Sequence, residues 1–421
     1  MKYSNPLWRT LHSLKGNQKA CVYSEPLWAI PYNLFLPFAS IYMAAVGLQD
    51  KQIGIVVSLG LAMQLICGVF SGVIVNKYGR RKMILVFGLL SWTVPCILWA
   101  TAQGYPYFIL AVFFNSMQQV ANNCFNCMIV EDGDSDKLVN IWTILNLIGL
   151  FAGFISPVVG LFIDKFTLIP TMRMIYTVSM VLMTIKFIVQ YRMACESEEG
   201  KRCISECMGK PLLLMTFSGW RQSFSSFRQP RLLLCLILGI LLNCYNNVQA
   251  TFWPLFITKI YGVSDSMLSV FPLVTSITSI AVYVIVTPHI KISSVRYPLL
   301  AGMSLRVLGL LTLLLCLRST VLWAVFFSAI CEALAFSVLS PLFESIMSVV
   351  IPKDGRAQIN SVIFAIVLLI STPAGWLAGY LSQHNRTLPM VLNLCLITTS
   401  IIVSMCIVHV FQRPDEKEMQ N

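Results

Sequence analysis

Charge is scarce in this sequence of 421 residues. Only 11% of positions are Asp, Glu, Lys or Arg, against about 25% in a soluble domain, too few to cover a water-facing surface. Histidine is scarcer still. His12, His289, His384 and His409 lie apart, near the ends of apolar stretches or in the tail. They leave no metal-ligand cluster, no Ser/His/Asp arrangement and no HExxH helix. The Gly-x4-Gly-Lys-Ser/Thr loop of nucleotide hydrolases is missing as well. No enzyme activity, metal or cofactor is therefore expected. The first twenty residues lack an apolar core before a small-residue cleavage site, so the first apolar stretch is expected to serve as its own insertion signal.

What is present is hydrophobic sequence, 57% of the chain. Stretches long enough to cross about 30 Å of hydrocarbon as helices recur from Leu27 to Val410. Twelve spans are expected: Leu27–Val46, Ile53–Val75, Met83–Ala102, Tyr105–Val130, Leu138–Ile163, Leu168–Tyr191, Leu232–Ile257, Met267–Thr287, Tyr297–Leu317, Val321–Val350, Ile359–Leu381 and Leu388–Val410. The fold class is thus an all-α membrane protein, and the lipid bilayer is its first partner.

A net charge of +12 suggests nucleic acid in a soluble protein, but here it follows membrane sidedness, and no nucleic-acid partner is expected. With both termini cytoplasmic, about 22 of the 30 Lys and Arg fall in cytoplasmic joints and tails, as the positive-inside rule requires. The 14 cysteines are scattered through spans and joints and read as small packing residues. Cys124 and Cys127 form a CxxC inside an apolar helix, where packing outweighs a metal or redox role.

The longest polar joint, residues 192–230, divides the chain into halves at 1–191 and 231–421. Within it, Pro211 to Gln229 mixes Leu, Phe and Trp with Arg221 and Arg228, which fits either an interfacial helix or a flexible tether. The halves repeat at an offset of about 215 residues, a symmetry common in transporters. Gly47-Leu-Gln-Asp50 matches Gly262-Val-Ser-Asp265, Lys137 matches Arg356, and Pro157 matches Pro373.

After span 2 stands Gly72-Val-Ile-Val-Asn76-Lys-Tyr-Gly79-Arg80-Arg81, which resembles the Gly-x-x-x-Asp-Arg-x-Gly-Arg-Arg/Lys signature of the major facilitator superfamily. The chain departs from that signature at Asn76, which hydrogen-bonds but cannot form the family's ion pair. The equivalent joint of the second half, His289 to Arg296, is degenerate. The resemblance implies two pseudo-symmetric six-helix halves, alternating access, and a cytoplasmic gate in which Arg80 or Arg81 meets Glu131, Asp132 or Glu344. Gly72 is expected to permit close helix approach. Span 5 carries Gly149-x-x-x-Gly153-x-x-Ser-Pro157-x-x-Gly160, similar to a motif of the family's antiporters. It reads equally as a small-residue face for helix packing.

Polar residues inside spans mark candidate sites. Asn115, Gln119, Asn122 and Asn126 share one face of span 4. Span 7 has Asn243, Asn246 and Asn247, and span 1 has Tyr32 and Asn33 beside Pro31. In the family, helices 1, 4, 7 and 10 line the cavity, which favours a substrate role over simple bridging between helices. Charges at mid-span are costlier, about 2.5–3.5 kcal/mol on insertion scales. Glu332 and Arg306 qualify, either as an ion pair or with Glu332 titrating a coupling proton or recognising a cation. Lys186, toward the end of span 6, is expected to snorkel.

The reading is a secondary transporter of a small molecule, coupled to protons and tilted by the span 5 motif toward efflux of amphipathic compounds. It is expected to act as a monomer in the plasma membrane. Symport of a sugar or other polar solute is the competing reading, suggested by the amides, and a non-transporting sensor or scaffold is a third.

Overall fold

The computed structural model describes residues 6–131, 138–207, 209, 229–286, 296–318, 321–350 and 356–412. Among them every regular element is helical. Among the described residues ten helices are long and apolar enough to cross a membrane. An eleventh apolar helix, Met267–Tyr283, is shorter. Span 4 is broken into Tyr105–Ser116 and Gln118–Val130. At the break, Met117 donates to Phe114 O and its own carbonyl accepts from Val120 N, both at 3.1 Å. These are three-residue steps that bend the helix without ending it.

Span 1 differs most from its expected bounds. The apolar helical run is Gly16–Ala45, not Leu27–Val46. Pro26 has no N–H for the Val22 carbonyl, and Glu25 N occupies that carbonyl instead at 3.4 Å. Glu25 therefore sits at the joint between Gly16–Ser24 and Pro26–Phe35 with helical backbone, φ −61° and ψ −38°. The polar residues that hid the extension are satisfied by other chain ends. Gln18 Nε2 donates to Ile129 O at 2.9 Å, closing the end of span 4, and Asn17 Oδ1 accepts from Cys195 N at 2.9 Å.

The chain divides into two compact units, residues 1–48 with 59–218, and residues 49–58 with 219–421. Residues 192–207 of the expected linker thus belong with the first unit. Residues 208 and 210–228, with the expected interfacial helix, lie outside the described residues. Gly47 (φ 104°) and Gly262 (φ 68°) both take a positive φ after their helices, so at this landmark of the repeat each helix ends on a glycine. Pro157 and Pro373 both lie inside continuous helices, Leu138–Phe166 and Arg356–His384.

In the second unit, the first turns of Asp50–Tyr78 cross Arg356–His384 at glycine contact. A Cβ on Gly379 would stand 2.7 Å from Asp50 O and 2.9 Å from Gly54 Cα. Asp50, 5% exposed, accepts from Ser382 Oγ at 2.6 Å and pairs with Arg386 Nε at 3.2 Å. Because backbone atoms block that position, Gly379→Ala is expected to open the crossing. The cost should be about 1–3 kcal/mol, read as a lower unfolding temperature of the purified protein; an unchanged temperature contradicts the contact.

Candidate functional site

Two buried charge pairs and one charged cluster stand out, each built within a single unit. In the first unit, Glu25 stands at the Pro26 joint of span 1, and Lys186 comes from the C-terminal part of Leu168–Met193. Their side chains are 13% and 5% exposed, and Lys186 Nζ lies 3.9 Å from Glu25 Oε2. That is an ion pair too long to be a hydrogen bond. The ammonium sits over the rings of Phe187 at 4.2 Å and Phe125 at 5.2 Å, a desolvated cation–π arrangement. Phe187 fits because Gly88 has no side chain there. Beside the pair is a cavity of about 110 Å3, walled by Trp28, Trp92 and Phe125 and reached by Asn122.

In the second unit, Arg306 is 2% exposed and its Nη2 lies 3.0 Å from Glu332 Oε1. Tyr245 O–H donates to Glu332 Oε2 at 2.8 Å, and the Arg306 guanidinium lies 4.3 Å above the Tyr245 ring. Nη2 also donates to Asn246 Oδ1 at 3.1 Å. Nε is buried with no acceptor among the described residues. Arg306 lines a cavity of about 210 Å3 with Asn243, Asn246, Ser340 and Phe343. Here the carboxylate is held from behind and the cation faces the space.

The third cluster ties the start of span 3 to the chain after span 6. The buried Arg80 guanidinium meets Glu131 through Nε (3.1 and 3.2 Å) and Nη2 (2.9 Å). Ser197 Oγ donates to the same carboxylate and accepts from Gly200 N at 2.9 Å, capping the helix Glu198–Cys207. Glu196 accepts from the N–H groups of Arg80 (2.8 Å) and Arg81 (3.0 Å), placing a carboxylate on the positive end of a helix. Gly79 is needed there twice, for its φ of 87° and because a Cβ would lie 2.7 Å from Glu196 Oε2. Arg81 donates from Nε to Tyr191 O at 3.0 Å and stacks 4.5 Å from that ring. Burial at the edge of the cluster pushes the Cys203 thiol up, with Arg80 pulling the other way.

The sequence profile of the Major Facilitator Superfamily matches residues 28–367. The chain belongs to that superfamily. Solved structures agree at the level of fold. The nucleoside transporter NupG superposes with a TM-score of 0.67 at 12% identity, over 94% of this chain and 100% of its own. A peptide transporter, POT, in complex with sulfate gives 0.68 at 13%, over 97% and 98%. A bacterial homolog of the human lysosomal transporter Spinster, inward-facing and unoccupied, gives 0.68 at 13%, also over 97% and 98%. No curated protein matches the chain in sequence. As a member of this superfamily the chain is a multi-pass integral membrane protein of the secondary transporter class, not an enzyme.

Within this facilitator the expected site residues divide. Arg306, Asn243 and Asn246 come together at one cavity with Glu332 paired behind Arg306, and Asn247 Nδ2 is turned back onto Asn243 O (2.9 Å) and Oδ1 (2.8 Å). The amide stripe of span 4 splits in two. Asn115 donates to Ser91 O at 2.9 Å, within the π-helical turn Leu89–Thr93, and Gln119 donates to Gln64 Oε1 at 3.2 Å. These two bridge helices. Asn122 and Asn126 are exposed, and only Asn122 reaches the cavity beside Glu25. Tyr32 stacks on Trp28 at 4.7 Å, behind that cavity, while Asn33 Nδ2 is held by Ala29 O at 2.8 Å.

Lys186 does not snorkel, because its partner is the buried Glu25 rather than a headgroup. The facilitator signature places Arg80, Arg81 and Gly79 in the charged cluster, with Asn76 partly buried on the preceding turn. The close packing expected at Gly72 and Gly149 is not found. A Cβ on Gly72 would touch only Asn123 Nδ2 at 3.8 Å, and one on Gly149 would touch nothing within 4 Å. Gly153 is buried in the same helix as Pro157. Asp132 and the side chain of Glu344 lie outside the described residues. Sequence reasoning missed Glu25, Glu196 and Ser197, all of which stood in segments read as joints.

Proposed function

We propose that the chain is a proton-coupled secondary transporter that works by alternating access from the plasma membrane, as a monomer with both termini cytoplasmic, and exports amphipathic small molecules. The observation that carries the coupling reading is the sharing of Glu332 between Arg306 and Tyr245. A proton on Glu332 removes the counter-charge of Arg306, whose other face lines the cavity, so proton and substrate act on one guanidinium. The aromatic walls of the first cavity and Phe343 at the second suit an amphipathic ligand, and the span 5 motif supports export. The cluster around Arg80 and Glu131 serves in this reading as part of the cytoplasmic gate, with Glu344 as a further candidate.

The amides Asn243 and Asn246 on the larger cavity favour a second reading, symport of a polar, hydroxyl-bearing solute. A thermal-shift screen of the purified protein against sugars, organic ions and lipophilic cations at two pH values separates the two. A ligand at 100 times its Kd stabilises the folded state by about 2.7 kcal/mol. The export reading expects stabilisation by amphipathic compounds that changes with pH. Stabilisation by sugars alone transfers the assignment to symport, and stabilisation by none favours a sensor or scaffold.

A further inference from the structure

The Glu25–Lys186 pair serves no evident structural need that a tighter pair would not serve better. At 3.9 Å the two groups attract without a hydrogen bond, and among the described residues neither side chain makes one elsewhere. Lys186 Nζ, engaged only by two rings and this long pairing, and the Glu25 carboxylate thus keep hydrogen-bonding capacity on side chains that are 5% and 13% exposed, a costly arrangement without a further partner. A third group on the same cavity is more fully enclosed. Trp28 Nε1 is buried and has no acceptor among the described residues, and Trp28 lines the space beside the pair. The cavity therefore offers two donors without acceptors, one acceptor without a donor, and aromatic walls.

A singly charged ligand would unbalance this site. An anion answers Lys186 and Trp28 but is repelled by Glu25; a cation meets the reverse. A ligand bearing both charges on neighbouring atoms satisfies all three groups and keeps the site neutral. The cavity, about 110 Å3, is smaller than the roughly 300–1,000 Å3 of a site that encloses a drug-sized molecule. It accommodates a charged head, with Asn122 at the exposed side where the rest of the molecule would continue.

We infer that the Glu25–Lys186–Trp28 cavity is a recognition site for the zwitterionic head of an amphipathic small molecule. The ligand's carboxylate accepts from Lys186 Nζ and Trp28 Nε1, its ammonium donates to Glu25, and its apolar part packs on Trp92 and Phe125. This deepens the transport reading and rests on it, since it names the head group carried.

The test uses the full chain purified in detergent and three probes with the same aromatic body: L-phenylalanine, phenethylamine and 3-phenylpropionate. Binding is followed by thermal shift and by tryptophan fluorescence. The expected result is that L-phenylalanine binds at least about tenfold more tightly than either singly charged probe, the effect of one charge-assisted hydrogen bond. Trp28→Phe keeps an aromatic ring, though a smaller one, removes the N–H, and should weaken L-phenylalanine by about tenfold. Glu25→Gln should shift preference toward 3-phenylpropionate, and Lys186→Met toward phenethylamine. Equal binding of the three probes, no binding at about 10 mM, or undiminished L-phenylalanine binding by Trp28→Phe overturns the inference. The last variant decides the matter even where the charge variants fail to fold. Zwitterion binding without any flux in vesicles would instead overturn the transport reading and leave this site standing.

Discussion

Arg80→Met is expected to destabilise the first unit by about 3–5 kcal/mol, the cost of leaving a buried carboxylate without its cation. Glu131 is only 15% exposed and takes most of its hydrogen bonds from the Arg80 guanidinium. After the substitution only Ser197 Oγ and the Cys127 thiol remain to it among the described residues. The Arg80 side chain also helps attach the chain after span 6, because its Nη2 lies 3.7 Å from Cys203 Sγ and it fixes the carboxylate to which Ser197 Oγ donates, whereas the backbone N–H groups that hold Glu196 survive the substitution. The unfolding temperature should therefore fall by about 6–20 °C for a unit of this size, and limited proteolysis between Ala194 and Cys207 should accelerate. Pairing the change with Glu131→Gln should restore part of the loss, since no charge is then stranded. A fall of about 1 °C or less would mean that water reaches Glu131 and that the cluster is not the anchor described.

The second large effect concerns Arg306 and Glu332, where the two halves of one pair should respond differently. Arg306→Met leaves the Glu332 carboxylate with Tyr245 alone and opens the wall of the larger cavity, again at about 3–5 kcal/mol. Glu332→Gln keeps one oxygen for the Arg306 guanidinium and can donate its amide N–H to the Tyr245 hydroxyl oxygen, and Asn246 still accepts from Arg306. It is expected to fold but to lose the exchangeable proton. Comparing the two by thermal unfolding and by substrate flux separates a role in holding the fold from a role in coupling. Equal loss of stability with unchanged flux per folded molecule would assign the pair to structure alone.

Much of this architecture is legible in hydropathy, because a span must be apolar along its whole length wherever lipid surrounds it. The bounds of spans 2, 3, 5, 6 and 7 follow from that requirement to within a few residues. Span 1 does not, and the reason is local. Asn17 and Gln18 look like a polar joint, yet they satisfy backbone groups at Cys195 and Ile129. Polarity answered by another chain end is indistinguishable, in a window of sequence, from polarity answered by water. Glu25 was hidden with them, and Lys186 without its partner read as a snorkelling side chain.

The amide face of span 4 illustrates the same limit from the other direction. Spacing puts Asn115, Gln119, Asn122 and Asn126 on one stripe, but it does not reveal that span 3 carries a π-helical turn at Leu89–Thr93 or that Gln64 stands opposite. Those neighbours engage the first two amides and leave the last two exposed. Glu332 and Arg306 were legible as charges at mid-span whose pairing was one of two readings, and the pairing depends on Tyr245 and Asn246, one turn of span 7 that sequence marks only as polar. Between Ala194 and Cys207, charge and length suggest a linker; the hydrogen bonds of Glu196 and Ser197 make it part of the first unit.

Driving of substrate movement by a proton gradient acting through Glu332 is the core of the proposed function. It is tested most directly by reconstituting the wild-type chain and Glu332→Gln in sealed vesicles and measuring flux of a ligand found by thermal shift, with and without an imposed pH gradient. The account predicts that the gradient accelerates flux through the wild type only, while Glu332→Gln still exchanges substrate down its own gradient. Gradient-driven flux of equal size in both proteins would contradict it and leave Glu332 as the structural counter-ion of Arg306.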